Sequence, residues 1–368
     1  MRRCRVAVLA AMLVCAWGCV HIAAAQQGLT VGAAAIFYGD NTEFRNPFRE
    51  GETIFGAAPR LDVGVELSDA VTLSIGVWGN QRFGSDSAFE SVRPVLTLSV
   101  KGGRSRFLFG TIETPRAGVP AGPDRTGPHG LLPPLQRETL AFDRPYEAGL
   151  QWLFDGRRLR HDAWLHWQRI NTPAARERLD GGIRGSWRLA GPLSLPVQAH
   201  IVHEGGQLFA SGAVRDSVAL ATGLVLSAVH QHPGPPHPAC RLQNCVTLEL
   251  LGLWSHDTPD REFPERTRDG AGFFGRAALE RRHWRLHLIA WRGDDFIKDE
   301  GDANYLSVRR DGTRYRGVRD YAETGITRTF RIAPDAVIEA SFRFHRIERH
   351  YEYSYRVLAV ARARGRIR

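Results

Sequence analysis

Residues 147–168 read EAGLQWLFDGRRLRHDAWLHWQ, and the fold turns on how this stretch is read. Ala148, Leu150, Trp152 and Phe154 alternate with Glu147 and Gln151. After Asp155-Gly156, Leu159, Ala163, Leu165 and Trp167 alternate with Arg160, Asp162, His166 and Gln168. A period of two puts successive side chains on opposite faces of an extended chain, so each arm has one apolar and one polar face. The Asp-Gly between the arms supplies the turn of a hairpin.

The same period runs outward in both directions. Leu61, Val63, Val65 and Leu67 oppose Asp62 and Glu66, and only Ser68, Asp69 and Ala70 separate them from Val71, Leu73, Ile75 and Val77. Ile338, Ala340, Phe342 and Phe344 oppose Glu339, Ser341, Arg343 and His345. Sixteen such runs fall near residues 28–38, 55–67, 71–82, 92–101, 105–113, 145–155, 158–168, 181–190, 194–203, 217–229, 246–255, 271–281, 283–292, 319–331, 336–346 and 352–361. The mixed polarity of 319–331 leaves fourteen as a second count, and Pro196 fits its run only near the strand's start.

The chain opens MRRCRVAVLAAMLVCAWGCVHIAAAQQ, a basic start, an apolar run and a small-residue site. This is the order of a cleaved secretory leader, residues 1–25, with Gln26 the first mature residue. Beyond it no apolar run reaches the roughly 18 residues of a membrane-crossing helix. Loss of Arg2, Arg3 and Arg5 removes three charges from a formal net charge of +10. All cations except Lys101 and Lys298 are Arg. Export argues against nucleic acid as the partner of this basic chain and favours anionic lipid or a charged lumen.

The connections sort by parity. SDA, GG, DG, AG, ERR and APD are short; those between them are mostly long, polar and rich in Gly, Pro and Arg, with 230–245 the exception. A closed antiparallel barrel in a membrane gives this asymmetry, because it satisfies every backbone hydrogen bond with brief turns on one rim and long loops on the other. A soluble sandwich has no reason to sort its loops. The chain therefore resembles the porin-like group of bacterial outer-membrane barrels over residues 26–361, an all-β, up-and-down fold. It departs from the group at its end, where residues 362–368 form a basic tail instead of a terminal aromatic residue.

The resemblance implies an outer-membrane channel for small hydrophilic, anionic solutes, with no enzymatic chemistry, no cofactor and no metal. Its partners would be lipid, lipopolysaccharide, the solutes, the barrel-insertion machinery and a further copy of the chain. The alternative is a barrel with a structural, adhesive or lipid-modifying role and no open pore. In the channel reading the long connection 114–144 folds inward, and Arg125, Arg137, Glu138 and Asp143 face lumenal Arg160, Arg184 and Arg188 across a constriction. Cys240 and Cys245 are placed for one local disulfide, and His230, His232 and His237 beside them match no regular metal spacing. The acidic run DDFIKDEGDANY (294–305) reads as solvated loop. His161 sits on the lipid-facing parity, without a serine on its strand or a G-x-S-x-G motif anywhere. Trp78, Trp152, Trp167, Trp187 and Trp254 supply an interfacial girdle.

Overall fold

A computed structural model describes residues 28–112, 114, 128–144, 146–229 and 245–367. The expected leader, Arg125, Cys240 and the three histidines of 230–237 lie outside the described residues.

Sixteen antiparallel strands close into one barrel. They are β1 (Leu29–Arg45), β2 (Glu50–Glu66), β3 (Val71–Arg82), β4 (Ser91–Gly102), β5 (Ser105–Thr111), β6 (Ala148–Asp155), β7 (Leu159–Arg169) and β8 (Glu177–Ala190). The second half comprises β9 (Leu193–Gly205), β10 (Arg215–Val229), β11 (Cys245–Thr258), β12 (Arg268–Arg281), β13 (Trp284–Asp294), β14 (Val318–Ala333), β15 (Ala336–Ile347) and β16 (His350–Ile367). Each pairs with its chain neighbours, and β1 closes the ring by pairing with both β2 and β16, Phe37 lying opposite Ala57 and Ala359. The ambiguous run 319–331 is a full strand, β14, which settles the number at sixteen.

Residues 362–367, expected to form a basic tail, instead continue β16: Arg362 to Ile367 pair with Ala34 back to Leu29. A closed ladder has no free edge, so the last residues gain backbone hydrogen bonds that a tail would leave to water. Pro196 is the fourth residue of β9. The register with β10 runs to Val197 and resumes at Ser194, and the Pro196 carbonyl accepts from the Thr222 hydroxyl at 3.0 Å. At the two-residue turn after β4, Gly103 takes φ +56°, a left-handed conformation that costs glycine little.

The alternation sorts the faces as expected. Leu61, Leu96, Ile183, Trp187, Leu250 and Leu288 point outward and are exposed on the bare barrel. Trp152, Trp167, Trp187 and Trp254 join this outer surface, but Trp78 is buried inside, packed with Tyr38, Ile54 and Phe142. Trp78 shares the lumenal parity of Ser74 and Asn80, so its place in a girdle is corrected by the same period that predicted the strand.

The lumen holds described segments of the connections as well as strand side chains. Two connections of the long-loop rim fold into it. In the first, residues 128–144, Leu132 N–H donates to Gln198 Oε1 of β9 at 2.8 Å, and a short helix α1 (Leu140–Asp143) offers the Phe142 carbonyl to Asn80 of β3 at 3.1 Å. In the second, residues 295–317, Phe296 and Tyr305 are buried against Trp291 and Tyr321. The segments clasp each other: Asp302 N–H donates to the Pro133 carbonyl at 2.9 Å, and Arg137 N–H to that of Glu300 at 2.7 Å. Leu131 and Leu135 are wholly buried in this plug, each contributing roughly 1.5–3 kcal/mol of transfer free energy.

Candidate active site

The residues expected at a constriction do not converge. Arg160 is on the exposed short-turn rim, 2.6 Å from Asp155. Arg184 and Arg188 lie on the lumenal parity of β8, and the Arg188 N–H donates to the Arg158 carbonyl at that same rim. Arg137 is exposed, and Asp143 ends α1. Glu138 is buried on the opposite side of the ring, 3.0 Å from Arg343 and paired with Arg356, which also holds Asp40. Residues 128–144 do fold inward, but Glu138 meets arginines of β15 and β16 instead of β7 and β8. The acidic run 294–305 is likewise no solvated loop: it builds the second plug segment, where Asp302 pairs with Arg49 at 2.8 Å and Glu300 with Arg144 and Arg178.

The pairing of Glu138 places the plug over a cleft in the β14–β16 wall. Register sets Glu323 of β14 directly opposite His345 of β15, and Arg343 of β15 directly opposite Ser354 of β16. All four side chains share the lumenal parity. Ser354 Oγ is 2.8 Å from His345 Nε2, and His345 Nδ1 is 2.8 Å from the Tyr321 hydroxyl. That hydroxyl donates to Glu323 Oε2 at 2.6 Å, and the same oxygen lies 3.5 Å from His345 Nδ1. His287 holds the other Glu323 oxygen at 2.8 Å, and Phe44 packs edge-on against the His345 ring. The cleft is completed by both plug segments, Glu138 and Thr139 from the first, Asp302 and Tyr305 from the second. Burial pushes the Tyr305 phenol well above its usual range, so it stands there as a neutral hydroxyl.

This is a hydroxyl, an imidazole and a carboxylate in series, the arrangement that activates a serine for attack on a carbonyl: the imidazole takes the hydroxyl proton while the acid fixes its tautomer and orientation. Arg343, beside Ser354 in the register, brings a cation to where an oxyanion would form.

A second histidine shows what the first is not. His129, in the first plug segment, lies 2.6 Å from Glu147 and 3.1 Å from Asp162 and stacks on Trp164 at 3.7 Å. Burial works against its charge, but the two carboxylates prevail, and its pKa is pushed up to about 10. Near neutral pH it is an imidazolium, with no free lone pair to take a proton. A third, His161, faces outward between Trp152 and Phe154 with no hydroxyl partner, as its parity required. For metal, one group stands out among the described residues: Asp180, His200 and Glu300. The expected Cys240–Cys245 bridge has only Cys245 within them, buried at the head of β11.

Sequence reading missed Ser354, His345 and Glu323. They come from three strands and form no linear motif. The signal was there in the hairpin itself: a lumenal His three residues before the turn at 348–349 and a lumenal Ser five residues after it.

Residues 22–363 match the family model described as lipid A 3′-O-deacylase-type. This overturns the expectation of a barrel without enzymatic chemistry, since the family is one of deacylases. No curated protein matches the sequence. Among solved structures, a loop-deletion form of OmpT, an outer-membrane protein of Vibrio cholerae, superposes with a TM-score of 0.54 at 10% identity, covering 91% of this chain and 99% of that one. The in-vitro folded trimer form of OmpT gives 0.51 at 9% identity, covering 92% and 99%. At such identities the likeness is one of fold: an outer-membrane barrel of the porin-like kind.

Proposed function

The chain belongs to the lipid A 3′-O-deacylase-type family, and on that premise we propose that it is an outer-membrane ester hydrolase that releases an acyl chain from a lipid A-like glycolipid at the Ser354 cleft. One observation carries the reading: Ser354 Oγ stands 2.8 Å from a His345 ring whose other nitrogen is held by Tyr321 and Glu323. His345 removes the Ser354 proton as Oγ adds to the ester carbonyl, and the oxyanion develops beside Arg343. Collapse expels the sugar alcohol, which takes the proton back from His345. Water, activated by the same imidazole, then cleaves the acyl-serine and restores the hydroxyl. Glu323, held by His287 at 2.8 Å, faces the imidazolium in both steps and stabilises it.

Ser354 is the fifth residue of β16, counted from the long-loop rim. At about 3.3 Å per residue that is on the order of 13 Å from the rim, the depth of a leaflet's headgroup and ester region. A plugged lumen favours lipid modification over solute passage.

The test is mass spectrometry of lipid A incubated with purified protein in detergent micelles. Wild type releases one ester-linked acyl chain. Ser354→Ala lowers the rate by about three orders of magnitude while keeping heat-modifiable gel mobility. Undiminished release by Ser354→Ala, or none by wild type, would overturn the proposal.

A further inference from the structure

We propose that Asp180, His200 and Glu300 form a divalent transition-metal site that latches the second plug segment to the barrel wall. Asp180 lies on β8, His200 on β9 and Glu300 in the plug, so no two are close in sequence. Each offers one donor atom, and the three atoms lie within 4.8 Å of one another. All three residues are buried, His200 to 1% exposure.

Two orphaned atoms point to a missing ligand. Glu300 Oε1 is fully engaged by Arg144 at 2.5 Å, Arg178 at 2.9 Å and Gln168 at 3.1 Å, while its Oε2 is buried without a hydrogen-bond partner. His200 Nε2 sits 3.0 Å from Asp180 Oδ1, and its Nδ1 is also buried without a partner. A buried carboxylate oxygen with no donor is costly. A cation supported by Glu300 Oε2, an Asp180 oxygen and a His200 nitrogen would relieve that cost. One imidazole and two carboxylates are the donor set of Zn2+ or Mn2+ rather than of Ca2+, which prefers oxygen alone. Arg144 and Arg178 orient the Glu300 carboxylate from behind, but their charge also weakens it as a ligand. The site is therefore built for a moderate, exchangeable affinity.

The consequence is positional. Glu300 is two residues from Asp302, which lines the Ser354 cleft, so a bound ion would fix the roof of that cleft to β8 and β9. The inference does not depend on the hydrolase reading and is tested without it.

The protein, stripped with EDTA and refolded into micelles, is titrated with Zn2+ and separately with Mn2+, following tryptophan emission and calorimetric heat. Trp164 reports locally, since its indole N–H is 3.4 Å from Asp180 Oδ1. The expected result is one ion per chain for at least one of the two metals. His200→Gln and Asp180→Asn should each weaken binding by about tenfold or more, with heat-modifiable mobility retained. Glu300→Gln should do the same and speed proteolysis within 295–317. Replacing His230, His232 and His237 by Ala should leave the binding unchanged. Absence of saturable binding by wild type, or binding that survives His200→Gln and is lost in the triple variant, would overturn the proposal.

Discussion

His129 and His345 are both buried in the lumen, both hydrogen-bonded through both ring nitrogens, and they do opposite things. His129 is gripped by two carboxylates, Glu147 and Asp162, and stacked on Trp164. His345 has one hydroxyl on each side, Ser354 and Tyr321, with a single carboxylate at 3.5 Å. Two anions hold an imidazole as a cation up to about pH 10 and so make it a strut. Two hydroxyls and one more distant anion leave it able to gain and lose a proton. The number of carboxylates within reach, more than burial, divides the anchor of the plug from the base of the site.

Removing each ring in turn separates the two roles. His345→Gln should cost acyl release about three orders of magnitude with little change in urea unfolding, because the proton acceptor is gone but no buried ion is stranded. His129→Gln should do the reverse. It strands the buried Glu147 and removes one partner of half-buried Asp162, a loss on the order of 3 kcal/mol, yet should leave the rate within about tenfold of wild type once the protein is folded. Equal effects of the two variants on rate would refute the division of roles.

A smaller effect tests how His345 is oriented. Tyr321→Phe removes the hydroxyl between Nδ1 and Glu323, but the carboxylate oxygen is already 3.5 Å from the ring and can close on it. We expect a fall in kcat of about tenfold or less. Glu323→Gln removes the charge that stabilises the imidazolium and should cost about 100-fold, with KM little changed, since neither residue is asked to bind substrate more tightly.

The fold was almost wholly legible, and the site almost not at all, for the same reason. A period of two is local: each residue of EAGLQWLFDGRRLRHDAWLHWQ declares its face without knowing its partners, so sixteen strands and their parity follow. Trp78 was misassigned only where residue type was allowed to outvote that parity. The site depends on register and closure, which bring β14, β15 and β16 side by side, and on two plug segments whose buried faces carry no period. The acidic run 294–305 looked like solvated loop because its charges are dense; its partners Arg49, Arg144 and Arg178 are far away in the chain. Glu138 reads as an inward charge, but sequence offers no means of choosing between the arginines of β7 and β8 and those of β15 and β16.

The anchor half of the comparison has a pH signature. His129 has its pKa raised from the usual 6.5 to about 10 in the folded state. The folded form therefore binds the proton more tightly, and the stabilisation is complete below about pH 6.5, falls as pH rises, and is gone above about pH 10. Proteolysis of the segment 128–144 should accelerate between pH 7 and pH 10 in wild type, and this acceleration should be absent from His129→Gln. A flat wild-type profile over that window would mean that the ring is not the pinning cation.

The smallest expected effect concerns Arg160, a residue the channel reading would make important. Its bridge to Asp155 spans 2.6 Å, but both side chains are largely in water, at 45% and 74% exposure. Exposed pairs of this kind contribute about 0–1 kcal/mol, and less in high salt. Arg160→Ala should thus leave urea unfolding within about 1 kcal/mol of wild type, and the Ser354 cleft, on the other wall and at the other rim, should turn over at an unchanged rate. In planar bilayers, Arg160→Ala with Arg184→Ala should change neither conductance nor ion preference, because the two plug segments stand in the lumen away from this rim. A clear shift of reversal potential in that double variant would show ions passing these arginines, and would reopen the wall of β7 and β8 as a conducting path.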